Sequence, residues 1–203
     1  MVRHLLSRGA TFRSPGAMWT SPLHFAIAEG DRGLVEILLT HGADVDSLDA
    51  FGGTALGLAI KYGHVEIARL LIRRRARIDL QFLGGITALH AAVIFDNLEV
   101  LKLLLSRGAN TNMRTNTGKT PLLEAVDNTS VQLAKELVAG GADVNAKDHS
   151  GRSCLHCAAE AGNVALVSFL QEQDDLHYDT DLSGSTALAL AAQNKHIEIA
   201  RLI

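Results

Sequence analysis

One periodicity constrains this chain more than any other feature: a hydroxyl residue followed two positions later by Leu and five later by Ala. It recurs at Ser21/Leu23/Ala26, Thr54/Leu56/Ala59, Thr87/Leu89/Ala92, Thr120/Leu122/Ala125, Ser153/Leu155/Ala158 and Thr186/Leu188/Ala191, always 33 residues apart. Gly9-Ala10, Gly42-Ala43, Gly108-Ala109 and Gly141-Ala142 keep the same phase, with Arg75-Ala76 in the gap. Gly52, Gly85, Gly118, Gly151 and Gly184 each precede an anchor by two. Such a period excludes a single globular core, because each unit is one supersecondary element that buries its apolar face only against its neighbours.

Each unit reads as helix, turn, helix and extended finger. Ser or Thr ahead of an apolar stretch is an N-cap signal, Pro22 and Pro121 suit a first helical turn, and Gly30, Gly63 and Gly162 end the first helix. The second helix carries apolar residues at i, i+3 and i+4, as in Leu34, Ile37 and Leu38, and stops at Gly42. Helices this short are marginal alone, so neighbours must hold them. The Ala five positions after each anchor is what close helix approach demands. Composition agrees: apolar residues are 47% of the chain, which argues against disorder, and aromatics only 4%, which argues against an aromatic-rich β sandwich.

Ser21-Pro22-Leu23-His24-Phe25-Ala26 and Thr87-Ala88-Leu89-His90-Ala91-Ala92 nearly spell the Thr-Pro-Leu-His-x-Ala-Ala core of the ankyrin repeat, and the chain resembles that family over its whole length. The resemblance implies an all-α dominated repeat solenoid forming a single array over 1–203, with first helices on a concave face, second helices on a convex face, and β-turn fingers to the side. Five complete units fall at 18–50, 51–83, 84–116, 117–149 and 150–182, with partial units at 1–17 and 183–203. Arg75 at a helix-ending Gly position implies left-handed strain, and Asp174-Asp175 replaces Gly-Ala, so units 3 and 6 are expected to be locally weaker. Ile197, Ile199, Leu202 and Ile203 lack a following unit, so residues 183–203 are expected to expose apolar surface, and the chain reads as part of a longer array.

Catalytic chemistry finds no foothold in the motifs. Thr117-Gly118-Lys119-Thr120 resembles the end of a phosphate-binding loop, but the required earlier Gly is Met113 and no buried strand leads in. Cys154, His156 and Cys157, with His149, raise a zinc reading, yet each already fills a structural position of the repeat and a second Cys pair is absent. His24, His90 and His156 recur on the grid, where the family's imidazole bonds the neighbouring finger. No enzyme activity, cofactor or metal is expected. A net charge of −3 gives no footprint for nucleic acid, and no apolar run spans a bilayer. Two Cys without a disulfide framework and no secretory signal suit an intracellular, cytoplasmic or nuclear, setting.

The expected function is therefore a non-catalytic scaffold that binds a partner protein through concave face and fingers; the alternative is a spacer or targeting arm of a larger protein. Candidate contacts are apolar residues the grid does not require: Met18, Trp19, Leu48, Phe51, Phe82 and Leu83 on fingers, and Tyr62, Ile94 and Phe95 on the first helices. Later units place Asp127-Asn128, Glu160-Ala161 and Gln193-Asn194 at the Ile94-Phe95 positions. These rings equally suit local packing onto adjacent fingers, and both readings stay open. Arg73, Arg74, Arg75 and Arg77 form a charge run that suits a solvated helix end or an acidic partner. Thr115, on a finger, is expected to tolerate Ala. The chain is expected to be monomeric, with self-association possible through its uncapped C-terminal end.

Overall fold

The computed structural model describes residues 21–203. Among these residues twelve α-helices alternate in pairs. The first members are α1 (Pro22–Ala28), α3 (Ala55–Lys61), α5 (Ala88–Ile94), α7 (Pro121–Asp127), α9 (Cys154–Glu160) and α11 (Ala187–Gln193). The second members are α2 (Arg32–Thr40), α4 (Val65–Arg73), α6 (Leu98–Ser106), α8 (Val131–Ala139), α10 (Val164–Gln171) and α12 (Ile197–Leu202). Each first helix packs on the next first helix and each second helix on the next second helix, giving two rows and an all-α repeat solenoid. Met18, Trp19 and the partial unit 1–17 lie outside the described residues.

Sequence fixes each helix start. Thr54, Thr120 and Thr186 accept hydrogen bonds from the backbone N–H three residues on (Gly57, Leu123 and Ala189), satisfying donors that a first turn leaves orphaned. Second helices are capped likewise by Asp31, Asn97, Ser130 and Asn163. Ala26, Ala59, Ala92, Ala125, Ala158 and Ala191 are all completely buried, as the seam between first helices requires. Leu23, Leu56, Leu89, Leu122 and Leu155 are buried too, whereas Leu188 is 42% exposed on the far side of α11. Of the four C-terminal residues expected to be exposed, Ile197 and Leu202 are, Ile203 is half-buried against the core and Ile199 is completely buried.

His24, His90 and His156 bridge their own helix to the following finger. The Nε2–H of each donates to a finger carbonyl, those of Ser47, Lys119 and Ser185 respectively, each at 3.1 Å, while Nδ1 faces the Ser21, Thr87 or Ser153 hydroxyl. The fingers are turns pinned by one acceptor side chain: Asp49, Thr115, Asp148 and Asp181 each take backbone N–H groups two and four residues ahead. Thr115 is buried and receives bonds from Thr117 and Lys119, so its expected tolerance to Ala does not fit the structure. Adjacent fingers are joined by backbone bonds from Asn116 to Gly84, His149 to Thr117 and Leu182 to Ser150.

The third finger breaks the pattern. Phe82 stands where an acceptor should, so the turn tightens: Phe82 and Ile86 exchange two backbone bonds at 2.8 Å, and Leu83–Gly85 form a 3-10 turn. Gly57 occupies the bridging-histidine position of α3, and a Cβ placed there would meet the Phe82 ring at 2.5 Å. The ring thus fills the space of the missing imidazole; the Phe82 N–H bond to the Ile86 carbonyl is the one every described finger makes, and only the return bond from Ile86 N–H is particular to this turn.

Arg75 takes φ +66° where Gly42, Gly108 and Gly141 stand in other pairs, so the left-handed conformation read from sequence is present. No residue near 174 repeats it; α10 simply ends at Gln171, and its terminal Nε2 donates to the Leu202 carbonyl at 2.7 Å.

Candidate functional site

Short first helices project two kinds of side chain toward the face that bears the fingers. Positions facing the next pair are Leu and Ala and vanish into the seam; positions at the last turn and after the anchor are free of that demand. In the first half of the array they hold large apolar groups. Phe95 closes α5, and Phe95 and Tyr62 are 45% and 41% exposed. Ile94 is exposed beside them, and Tyr62 stacks against His64 with ring centroids 6.2 Å apart. On the fingers, Leu48, Phe51 and Leu83 are half exposed, and the Leu83 side chain reaches within 4.0 Å of a Cβ built on Gly52, so the second and third fingertips meet.

Two assignments change. Phe82 is not at the surface edge with the others: it is half-buried against the core and seated over Gly57, because no imidazole fills that space. Phe25 is 49% exposed on α1 and belongs with the apolar group. Sequence reasoning passed over it inside the conserved-looking anchor; the available signal was a ring at a position that holds Leu58, Ala91, Glu124 and Cys157 elsewhere.

On α7, α9 and the fingers ahead of them the equivalent positions carry ion pairs, while Leu182 and Leu188 are exposed again at the last finger and α11. Lys119 Nζ lies 2.5 Å from Asp127 Oδ2 and 3.9 Å from Glu124 Oε1. Arg152 contacts Asp148 at 3.2 Å and Glu160 at 3.0 Å. Burial pushes the Glu124 carboxyl above the usual range, with Lys119 opposing. The loop resembling a phosphate site is closed to anions: Thr115 takes the N–H groups of Thr117 and Lys119, its carbonyl takes that of Gly118, and the Lys119 amine is committed to carboxylates.

Cys154 and Cys157 are buried without a disulfide, and burial raises both thiols, that of Cys157 to about 12. Among the described residues no group of three or more His, Cys, Asp or Glu side chains is placed to hold a metal ion. No described helix is long and apolar enough to cross a membrane.

The arginine run is split by the second-helix row. Arg74 is engaged by Glu36 at 3.5 Å and by the Thr40 hydroxyl. Arg69 bridges to Glu99 at 2.6 Å, and Lys102 to Glu136 at 3.0 Å, so ion pairs stitch successive second helices together. Arg73, Arg75 and Arg77 remain exposed at the end of α4.

Comparison with known proteins agrees with this architecture. A family model of ankyrin repeats in three copies matches residues 1–82, 75–148 and 128–203. Among solved structures, the crystal structure of the ankyrin repeat domain of Bcl-3, a unique member of the IkappaB protein family, is similar at 31% identity and TM-score 0.85, over 98% of this chain and 90% of that one. No curated protein matches the chain. Ankyrin repeat domains are generally protein–protein interaction modules, and with its 33-residue grid, paired helices and bridging histidines the chain belongs to the ankyrin-repeat family.

Proposed function

We propose that this protein is a non-catalytic recognition scaffold that grips a partner protein with the first helices and fingers of its N-terminal half. One observation carries the reading: Phe25, Phe51, Tyr62, Leu83, Ile94 and Phe95 are exposed on one side of three successive helix pairs, at positions the repeat does not need for its own packing. Exposed aromatic groups of this density mark contact surfaces, and aromatic anchors supply most binding energy at protein interfaces. Arg73, Arg75 and Arg77 lie on a second, smaller candidate surface for an acidic contact.

The test compares the wild type with Phe51→Ala and Phe95→Ala. Partners captured by the wild-type chain are titrated against each variant; a loss of at least about 2 kcal/mol in affinity with an unchanged thermal midpoint is expected. Variants that bind normally but melt early would place these rings in the core and move the site to the arginine edge.

A further inference from the structure

Leu83 combines two unfavourable features at one position of the third fingertip. Its backbone takes φ +24°, and among the described residues it is the only apolar side chain, and the only finger residue other than glycine, at positive φ. That region disfavours a residue with a Cβ, whereas Gly or Asn enters it readily. The side chain is also 52% exposed, so burial does not offset the strain. Nor can the turn relax. Phe82 and Ile86 exchange two backbone bonds at 2.8 Å, and the Asn116 N–H donates to the Gly84 carbonyl at 2.7 Å. Gln81 Nε2 donates to the Gly85 carbonyl at 2.9 Å and to the Arg114 carbonyl at 2.8 Å. The turn asks for a small or polar residue here and holds an exposed leucine instead, and backbone strain fixed by its surroundings in this way is characteristic of functional positions.

The third finger and α5 carry no charged side chain: no Asp, Glu, Lys or Arg lies between Asp79 and Asp96. Charged residues on the flanking fingers and helices are engaged within their own units. Asp49 accepts the Phe51 and Gly53 N–H groups, Lys61 lies over the Tyr62 ring, Arg114 Nε donates to the Gly118 carbonyl, and Lys119 is held by Asp127 and Glu124. Beside Leu83, on the fingertip its side chain reaches, Phe51 is 57% exposed. Resting on the recognition surface proposed above, we infer that Leu83, with Phe51, is a preset knob that enters an uncharged apolar cleft on a folded partner domain. A charged group lining that cleft would be desolvated against Leu83 with no counter-charge to meet it. A side chain at the tip of a turn is enclosed only by a concave surface, which a linear segment laid across the fingers does not form. The rigid turn also spares the ordering cost that a flexible tip incurs on binding.

The test uses Leu83→Asn, which keeps the turn's conformation accessible and removes the knob. Displayed single-domain antibodies, which are folded, and displayed random linear peptides are selected in parallel on the full chain, and every binder is titrated against wild type, Leu83→Asn and Phe95→Ala. The urea midpoint of Leu83→Asn is expected at or above that of wild type. Folded binders are expected to lose at least about tenfold in affinity on Leu83→Asn and to change less than about twofold between low and high salt, while no linear peptide depends on Leu83. A lower urea midpoint shows that the leucine serves packing and overturns the knob. Linear peptides that depend on Leu83 overturn the folded cleft, and a steep salt dependence overturns its neutrality. Binders lost on Phe95→Ala but all retained on Leu83→Asn overturn the knob and leave the recognition surface standing; binders all indifferent to both variants overturn that surface as well.

Discussion

Gly57 and Phe82 are two departures from the repeat that explain each other, and their coupling is measurable. A methyl on Gly57 would lie 2.5 Å from the Phe82 Cζ and 3.0 Å from both Cε atoms. Carbon atoms rest about 3.5–4.0 Å apart, so the ring must retreat by about an ångström or more. Phe82 is half-buried, and losing its seat costs about 1–1.5 kcal/mol, half of what full burial of such a side chain is worth. Against this, Ala in place of Gly within α3 contributes about 0.5–1 kcal/mol of helix stability. Gly57→Ala alone is thus expected to be destabilising by about 0–1 kcal/mol, the difference of those two effects.

With the ring removed, only the helix effect survives. In a Phe82→Ala background Gly57→Ala should stabilise by about 0.5–1 kcal/mol, giving a coupling of about 1–1.5 kcal/mol in the double-mutant cycle. Urea midpoints at equal m-values measure all four proteins. Were Gly57→Ala to stabilise both backgrounds equally, the ring would not occupy the histidine's place and the account of the third finger would be wrong.

Two further outcomes follow from the backbone and the buried imidazoles. Arg75 holds φ +66°, so Arg75→Gly should raise the urea midpoint by the equivalent of about 1 kcal/mol, and an unchanged or lower midpoint would show that the arginine side chain offsets the strain. Burial lowers the pKa of His24 and His90, partly opposed by their bonds to Ser47 and Lys119. Their folded pKa values lie below the unfolded value of about 6.5, so the unfolded chain binds protons first. Stability is full above that pH and is lost as pH falls from there through the folded values. Glu124, raised by burial, works with the opposite sign lower in the acid range. His90→Gln should flatten the fall in urea midpoint between about pH 7 and 5.5; an identical slope in wild type and variant would refute the assignment.

How much was legible in the sequence depended on whether a residue obeys the grid. The seam alanines, the hydroxyl caps and the bridging histidines repeat, so spacing alone located them and the structure buries or bonds each one. Non-repeating residues were harder. Phe82 looked like a fingertip residue because its position holds Asp49, Asp148 and Asp181 in other fingers; its burial depends on Gly57, which is 25 residues away and carries no side chain to announce the vacancy. Thr115 looked dispensable because an Asp-for-Thr exchange hides that both side chains accept the same finger N–H groups. The pairing of Arg74 with Glu36 crosses between second helices, at a separation that no single-helix pattern reveals.

This division has a physical origin that also bears on recognition. In a linear array every unit buries the same side chains against the next, so stability is written in repeating positions and is nearly a sum over neighbours. Positions outside the seam contribute little to that sum, and Phe51 or Phe95 can therefore be apolar in one pair while the equivalent residues are Gly84 and Asn128 in the next without disturbing the helices. A partner can then be selected for by changing the face alone. Phe82 is where the two roles cross: its ring is part of the α3 packing over Gly57, and it directly precedes the fingertip residue Leu83. Substitutions at the exposed rings should move binding without stability and substitutions at the seam alanines the reverse, while Phe82→Ala should move both, since unseating the ring from Gly57 loosens the third finger that carries Leu83.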